Sequence, residues 1–175
     1  MPSDKTSKQI TTPTPVDPTL APLARLVGSW TTESTHPALP GVVVDGSAEV
    51  EWLEGERFLI LRSRMEHPDF PDAISIIGLM DRDRIDPAPS PAAGKAGADE
   101  TRLRMHYFDS RGVFRVYEVD ADETSWRWWR DSPGFSQRFT GTFADGGATI
   151  VGVAQLCRDD RDWEDDLRIT YRRRL

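Results

Sequence analysis

The sequence predicts an all-β domain: a ten-stranded antiparallel up-and-down closed barrel, entered through one short N-terminal helix. Three observations carry this reading. Gly28-Ser29-Trp30 follows a short apolar segment and opens a long region in which hydrophobic residues recur with a period of two. Ten strand-length segments then follow one another with no helix-length segment between them, which excludes a parallel βαβ sheet. The links are mostly tight-turn signals, so neighbours in sequence are antiparallel neighbours in space, and a meander of this length must close or split to hide its edges.

Residues 1–18 are rich in Ser, Thr, Pro and Lys, which bury too little to offset the entropy of ordering, and a disordered tail is expected there. The tail lacks the roughly 7–15-residue apolar core of a secretory signal. Thr19 is placed to cap a short helix with Pro22 in its first turn. Leu20, Leu23, Ala24 and Val27 then share one face before Gly28 stops the helix, which reads as a plug for one end of the barrel.

Strands are expected near 29–36, 43–54, 57–66, 73–82, 101–109, 113–120, 123–131, 135–144, 148–157 and 162–173. Glu54-Gly55-Glu56, Asp109-Ser110-Arg111-Gly112, Asp145-Gly146-Gly147 and Asp159-Asp160 each reverse the chain within a few residues. The irregular stretch is 83–100, where Pro87, Pro89, Pro91, Gly94 and Gly97 sit among alanines. It reads as a long loop, disordered in preference to an ordered lid.

At 175 residues the chain is long enough for one domain, 19–175, with a proper core. A net charge of −7 opposes the counterion displacement that binding to nucleic acid or anionic membrane requires, so neither is an expected partner. No run approaches the ~18 apolar residues of a membrane span. With Cys157 as the only cysteine there is no intramolecular disulfide, which suits a reducing compartment, and the cytoplasm is the expected location. Oligomeric state is not readable at this level.

Turn geometry predicts which side chains face inward, since a one-residue slip would exchange the two faces of a strand. A type I turn with a glycine bulge at Asp109 to Gly112 pairs Asp109 with Val113, Tyr107 with Arg115, Met105 with Tyr117 and Leu103 with Val119. Arg104 then faces Glu118 on the outer surface as an ion pair. The inner set therefore includes Arg115. Around Gly55, Ala48, Val50 and Trp52 share the inner face with Leu59, Leu61 and Ser63. A two-residue turn at Asp145-Gly146 would set Phe143 opposite Ala148, Gly141 opposite Ile150 and Phe139 opposite Gly152, with Gln137 and Ala154 further along. Large residues facing small ones suit a tapering interior. Trp126 and Trp128, and Leu167, Ile169 and Tyr171, are assigned inward as well.

The Gly28-x-Trp30 motif after a short helix, the ten-strand meander and the closing Tyr171-Arg172-Arg173-Arg174 resemble the calycin superfamily: lipocalins, fatty-acid-binding proteins and nitrobindin-like haem proteins. Residues 48–59, which run Ala48-Glu-Val-Glu-Trp52-Leu-Glu-Gly55-Glu-Arg-Phe58-Leu, and residues 107–115, which run Tyr107-Phe-Asp-Ser-Arg-Gly-Val-Phe-Arg115, look like a group of bacterial lipocalin-like domain proteins. The resemblance spans roughly residues 20–174. It implies that Trp30 packs against a basic residue near the chain end, Arg172 or Arg174, and that the barrel stores or senses a small molecule.

Arg115 with Tyr107 and Tyr117 is the sharpest constellation, because an arginine inside a barrel needs an anion to offset its desolvation. A ligand carboxylate fills that role. An internal ion pair with Asp165, which shares parity with Leu167 and Tyr171, fills it equally well. The pattern is similar to the Arg-x-Tyr carboxylate clamp of fatty-acid-binding proteins, although it sits on the sixth strand instead of the last. Trp52, Trp126, Trp128 and Trp163 would either line a flat aromatic pocket or fill the core. The expected ligand-binding set is Trp52, Tyr107, Arg115, Tyr117, Trp128, Gln137 and Tyr171.

His36, His67 and His106 are the candidates for a nitrogen ligand to haem. His36 precedes Pro37 at the end of the first strand, His67 precedes Pro68 in a turn, His106 falls on the outer face, and no histidine follows position 106, where nitrobindin-like proteins carry theirs on a late strand, so all three read as surface histidines. No cofactor is therefore expected. The acidic cluster Asp159-Asp160, Asp162, Glu164, Asp165 and Asp166 lacks the glycine and oxygen spacing of a calcium loop and reads as a solvated turn, so no metal is assigned. No catalytic residue is assigned either. The reading is a binder of a small hydrophobic or amphipathic, including anionic, molecule. The alternatives are an isomerase- or cyclase-like barrel enzyme lacking an identified base, a nitrobindin-like haem binder, and a filled barrel with only a structural or interaction role.

Overall fold

Ten strands pair in chain order and the last returns to the first, closing an antiparallel up-and-down barrel. The computed structural model describes residues 17–80 and 102–174; the expected tail, up to residue 16, and the Pro/Ala/Gly-rich loop at 83–100 lie outside the described residues. The strands are β1 (Gly28–Thr35), β2 (Val44–Trp52), β3 (Phe58–Met65), β4 (Ala73–Met80), β5 (Arg102–Asp109), β6 (Phe114–Ala121), β7 (Ser125–Arg130), β8 (Ser136–Ala144), β9 (Thr149–Cys157) and β10 (Glu164–Arg173). β1 holds β10 and β2 on its two sides, with Trp30 opposite both Arg173 and Ala48.

The N-terminal helix is a 3₁₀ turn, Ala21–Leu26, with Pro22 in its first turn as expected. Its cap position is Leu20 and no side chain caps it. The Thr19 hydroxyl does not serve, and the Thr19 N–H donates to Asp17 Oδ1 at 2.9 Å. Three residues per turn place Leu20, Leu23 and Leu26 on one face, all buried, and leave Ala24 exposed. The α-helical spacing expected from sequence selected Ala24 in place of Leu26 for that reason.

The β5–β6 and β2–β3 registers follow the turn chemistry: Tyr107 faces Arg115, Met105 faces Tyr117, Val50 faces Leu61 and Trp52 faces Leu59. Arg104 and Glu118 form the outer ion pair at 3.2 Å. The β8–β9 hairpin differs. Asp145–Gly147 forms a 3₁₀ turn with Gly146 and Gly147 at positive φ, so Ala144 pairs with Thr149. Phe143 then faces Ile150, Gly141 faces Gly152 and Phe139 faces Ala154, a shift of two residues from the two-residue turn. A shift of two keeps every inward residue inward.

Large and small residues interlock across this wall. The Trp126 indole lies over Gly141 and the Phe139 ring over Gly152, so closely that a Cβ at Gly152 would sit 2.6 Å from two Phe139 ring carbons and 2.9 Å from Ile169 Cγ2.

The end holding the 3₁₀ turn and the β2–β3, β6–β7 and β8–β9 links is packed solid. Leu20, Leu23, Leu26, Trp30, Leu59, Ile77 and Ile150 are all at most 2 % exposed there. Its clamp is Arg173. The guanidinium lies 4.2 Å over the Trp30 ring and donates to the carbonyls of Val27, Arg25 (2.8 Å) and Gly147 (3.4 Å), while the Trp30 indole N–H donates to Leu26 O at 2.8 Å. The residue packed on Trp30 is thus Arg173, and not Arg172 or Arg174: its register partner is Trp30 itself, and Arg172 faces outward to Glu33 at 2.8 Å. Gly28 belongs to the same arrangement, since it has φ +136° and a Cβ there would run into Arg173 Nη1. The glycine of Gly28-x-Trp30 is the space the clamp occupies.

Two stability outcomes follow. Gly152→Ala drives a methyl group into the buried Phe139 ring and is expected to lower unfolding free energy by about 1–3 kcal/mol in urea titration. Arg173→Lys loses the planar fork that reaches three carbonyls at once and is expected to cost about 1–3 kcal/mol in the same measurement, with Arg172→Lys near neutral as the control.

Candidate functional site

Above the packed base the barrel is hollow. A cavity of about 610 Å³ opens at the end framed by the β1–β2, β3–β4, β5–β6, β7–β8 and β9–β10 links, well inside the ~300–1,000 Å³ range of small-molecule sites. Tyr107, Arg115, Tyr117, Trp128, Gln137 and Tyr171 all line it, beside Met105, Phe139, Leu167 and Ile169. Trp52 does not. It faces inward, but at the base end of β2, where it packs against the core. Trp126 is buried under the wall, and Trp163 lies outside, beneath the Arg138 guanidinium at 4.0 Å.

The β5–β6 turn sets the polar side of the cavity. Asp109 accepts the N–H groups of Arg111 (2.9 Å) and Val113 (3.1 Å), the Arg111 guanidinium (3.0 Å) and the Tyr107 hydroxyl (3.1 Å). Burial alone would raise its carboxyl pKa, but these hydrogen bonds outweigh burial and hold it below the ordinary value. The turn so fixed delivers Tyr107 and Arg115 to facing positions on β5 and β6.

Gln137, from β8, joins the cluster through its side-chain oxygen, which accepts Arg115 Nη1 at 2.8 Å and the Tyr117 hydroxyl at 2.9 Å. Phe135 lies under the guanidinium at 5.0 Å. Among the described residues no carboxylate stands within ion-pair distance of Arg115. The Asp165 partner expected from parity is absent, because a β-bulge between Asp165 and Leu167 breaks the alternation. Asp165 points outward to Arg168 (2.6 Å) and Gln155 (3.1 Å), and the extra residue, Asp166, turns to the cavity.

Asp166 meets His36, whose Nε2 lies 3.2 Å from Oδ1. His36 therefore lines the cavity rim, in place of the surface position expected of it. Its Nδ1 accepts the Ala38 N–H at 3.0 Å, which assigns the proton to Nε2 and leaves both ring nitrogens engaged. His106 lies on the outer face against Phe114, where burial first and Arg104 second hold its pKa down. The sequence signal missed at the rim is short-range: His36-Pro37 and Asp166 lie in irregular backbone, where parity does not apply.

All three tyrosines of the chain line this one cavity. Tyr107 and Tyr117 each have an acceptor, while the Tyr171 hydroxyl has none among the described residues. Desolvation raises all three: Tyr171 to about 12, Tyr117 against the opposing pull of Arg115 and Arg130, and Tyr107 further with Asp109 beside it. Each presents a neutral O–H at physiological pH.

The acidic cluster resolves into turn contacts and surface pairs. Asp159 accepts the N–H groups of Arg161 and Asp162, and Glu164 pairs with Arg158 at 3.0 Å. Among the described residues no group of three or more His, Cys, Asp or Glu is gathered to hold a metal ion, and no helix is long and apolar enough to cross a membrane.

The barrel is similar to solved structures. Rv2717c from M. tuberculosis superposes with a TM-score of 0.59 at 10 % identity, over 92 % of this chain and 100 % of that one. The barrel is calycin-like. The S-type phycobiliprotein lyase CPES from Guillardia theta gives a TM-score of 0.49 at 11 % identity, over 87 % of this chain and 90 % of that one. At 10 % identity the likeness to Rv2717c is one of fold. No protein-family model matches the sequence, and no curated protein matches it.

Alkaline titration reads the cavity directly. Because the folded-state tyrosine values lie above the unfolded value of about 10, their contribution to stability is full below pH ~10 and is lost as pH rises through about 12. Phenolate absorbance near 295 nm should be almost absent from the folded protein at pH 10 and appear together with unfolding at higher pH. A second outcome concerns Gln137→Leu, which strips the acceptor from the Tyr117 hydroxyl and from Arg115. It should destabilise by about 1–3 kcal/mol in urea, with part of the loss recovered when Tyr117→Phe is added.

Proposed function

We propose that this chain is a member of the calycin superfamily that binds a small amphipathic molecule inside its barrel, with an anionic group of the ligand held by Arg115 and Tyr117. The observation that carries the proposal is the Arg115 guanidinium on the cavity wall, hydrogen-bonded to a neutral amide and supplied with no carboxylate among the described residues. A part-buried cation without a counterion is costly, and a ligand anion is the group that would complete it. Leu167, Ile169, Met105, Trp128 and Phe139 provide the apolar wall for the remainder of such a molecule. Superfamily membership is supported by Gly28-x-Trp30, by the Arg173 clamp that explains it, and by the closed ten-strand topology.

Native mass spectrometry of the purified protein is expected to show a co-purified small molecule. With the anionic fluorophore 1-anilinonaphthalene-8-sulfonate as probe and dodecanoate as competitor, Arg115→Met should weaken both by at least about tenfold, the loss of a hydrogen bond to a charged group. Unchanged affinity of Arg115→Met for both would refute the anchoring role.

A further inference from the structure

The geometry points to a ligand held at two points: an aromatic carboxylate whose ring frame carries, away from the carboxylate, a hydrogen-bond acceptor read by the Tyr171 hydroxyl at the cavity floor. This rests on the proposed function and narrows it to a class. The first end is the Arg115 cluster near the mouth, one residue into β6 and opposite Tyr107, next to the Asp109 turn. The second lies at the opposite depth. Tyr171 is the next inward position above Arg173 on β10, its ladder neighbours are Thr32 and Ile150, and its ring meets Trp30 edge-on at 6.4 Å.

Three facts make the floor a recognition point. Tyr107 donates to Asp109 and Tyr117 to Gln137, but the Tyr171 hydroxyl makes no hydrogen bond to any described residue although it borders the cavity. Burial raises its pKa to about 12 with no charged group acting on it, whereas for Tyr117 burial is opposed by Arg115 and Arg130. A neutral phenol in that position is a donor without an acceptor, and it discriminates for ligands that supply one. Between the two ends the wall is aromatic, with Trp128 and Phe139 stacked 5.3 Å apart at 10° and Tyr117 edge-on to Trp128 at 4.6 Å. Such a wall favours a rigid ring frame over a flexible chain, which would lose more rotational freedom on binding.

Isothermal titration with three probes tests the inference: anthraquinone-2-carboxylate, anthracene-2-carboxylate and dodecanoate. The first two share frame and anion and differ in the ring carbonyls. The wild-type protein is expected to bind the quinone about tenfold more tightly than the anthracene. Tyr171→Phe should abolish that difference while leaving the anthracene affinity unchanged, and Arg115→Met should weaken both ring probes alike. Infrared spectra provide a readout that altered packing would not reproduce: the bound quinone carbonyl stretch should move to lower frequency in wild type and not in Tyr171→Phe. Equal wild-type affinity for the two ring probes, or a Tyr171→Phe effect of the same size on both, overturns the inference while Arg115-dependent dodecanoate binding leaves the proposed function standing. If none of the three binds, the cavity is not a site for anionic ligands and both readings fall.

Discussion

One contact organises the molecule: the Arg173 guanidinium between the Trp30 ring and the carbonyls at the end of the 3₁₀ turn and the β8–β9 turn. It belongs to the last strand, covers a residue of the first, and satisfies carbonyls from two separate links. Closure of this barrel rests on one long-range pairing between its terminal strands, and this contact sits at the base of that pairing. Because it makes one end dense, the taper toward the other end leaves room. The cavity is a consequence of where the packing stops.

Around the cavity, several acceptors are already taken. Gln137 offers one oxygen to two donors, Asp109 is saturated by its own turn, and Asp166 is committed to His36. Arg115 retains guanidinium N–H groups and Tyr171 retains its hydroxyl hydrogen. A barrel optimised for stability alone would replace both with apolar residues, since unpaired polar groups cost more than they contribute. Their retention in a hollow space is the physical signature on which a binding role rests.

The faces of the strands were legible from sequence, and their depths were not. Period-two alternation and turn chemistry place Arg115, Tyr107, Tyr117, Trp128, Gln137 and Tyr171 on the inner wall, and the structure gathers them around one cavity. Alternation carries no information about distance from the mouth, so Trp52 shares the face of these residues and sits at the wrong end. The basic residue on Trp30 depended on the pairing of the first strand with the last, Trp30 with Arg173, which turn chemistry does not reach. Local backbone choices account for the remaining differences: a 3₁₀ in place of an α-helical turn exchanged Ala24 for Leu26, and a four-residue link, 145–148, moved the β8–β9 register by two. His36 entered the rim through a loop, and Asp166 through a bulge.

That bulge makes the mouth separately adjustable. Asp165 pairs with Gln155 and Leu167 with Ala154, neighbours on β9, so residue 166 has no rung of its own on the ladder. Removing a residue elsewhere in β10 would turn all that follows inside out. Removing this one would erase a negative charge from the rim and leave every other side chain on its present wall, so the charge of the entrance is set independently of the register that builds the container.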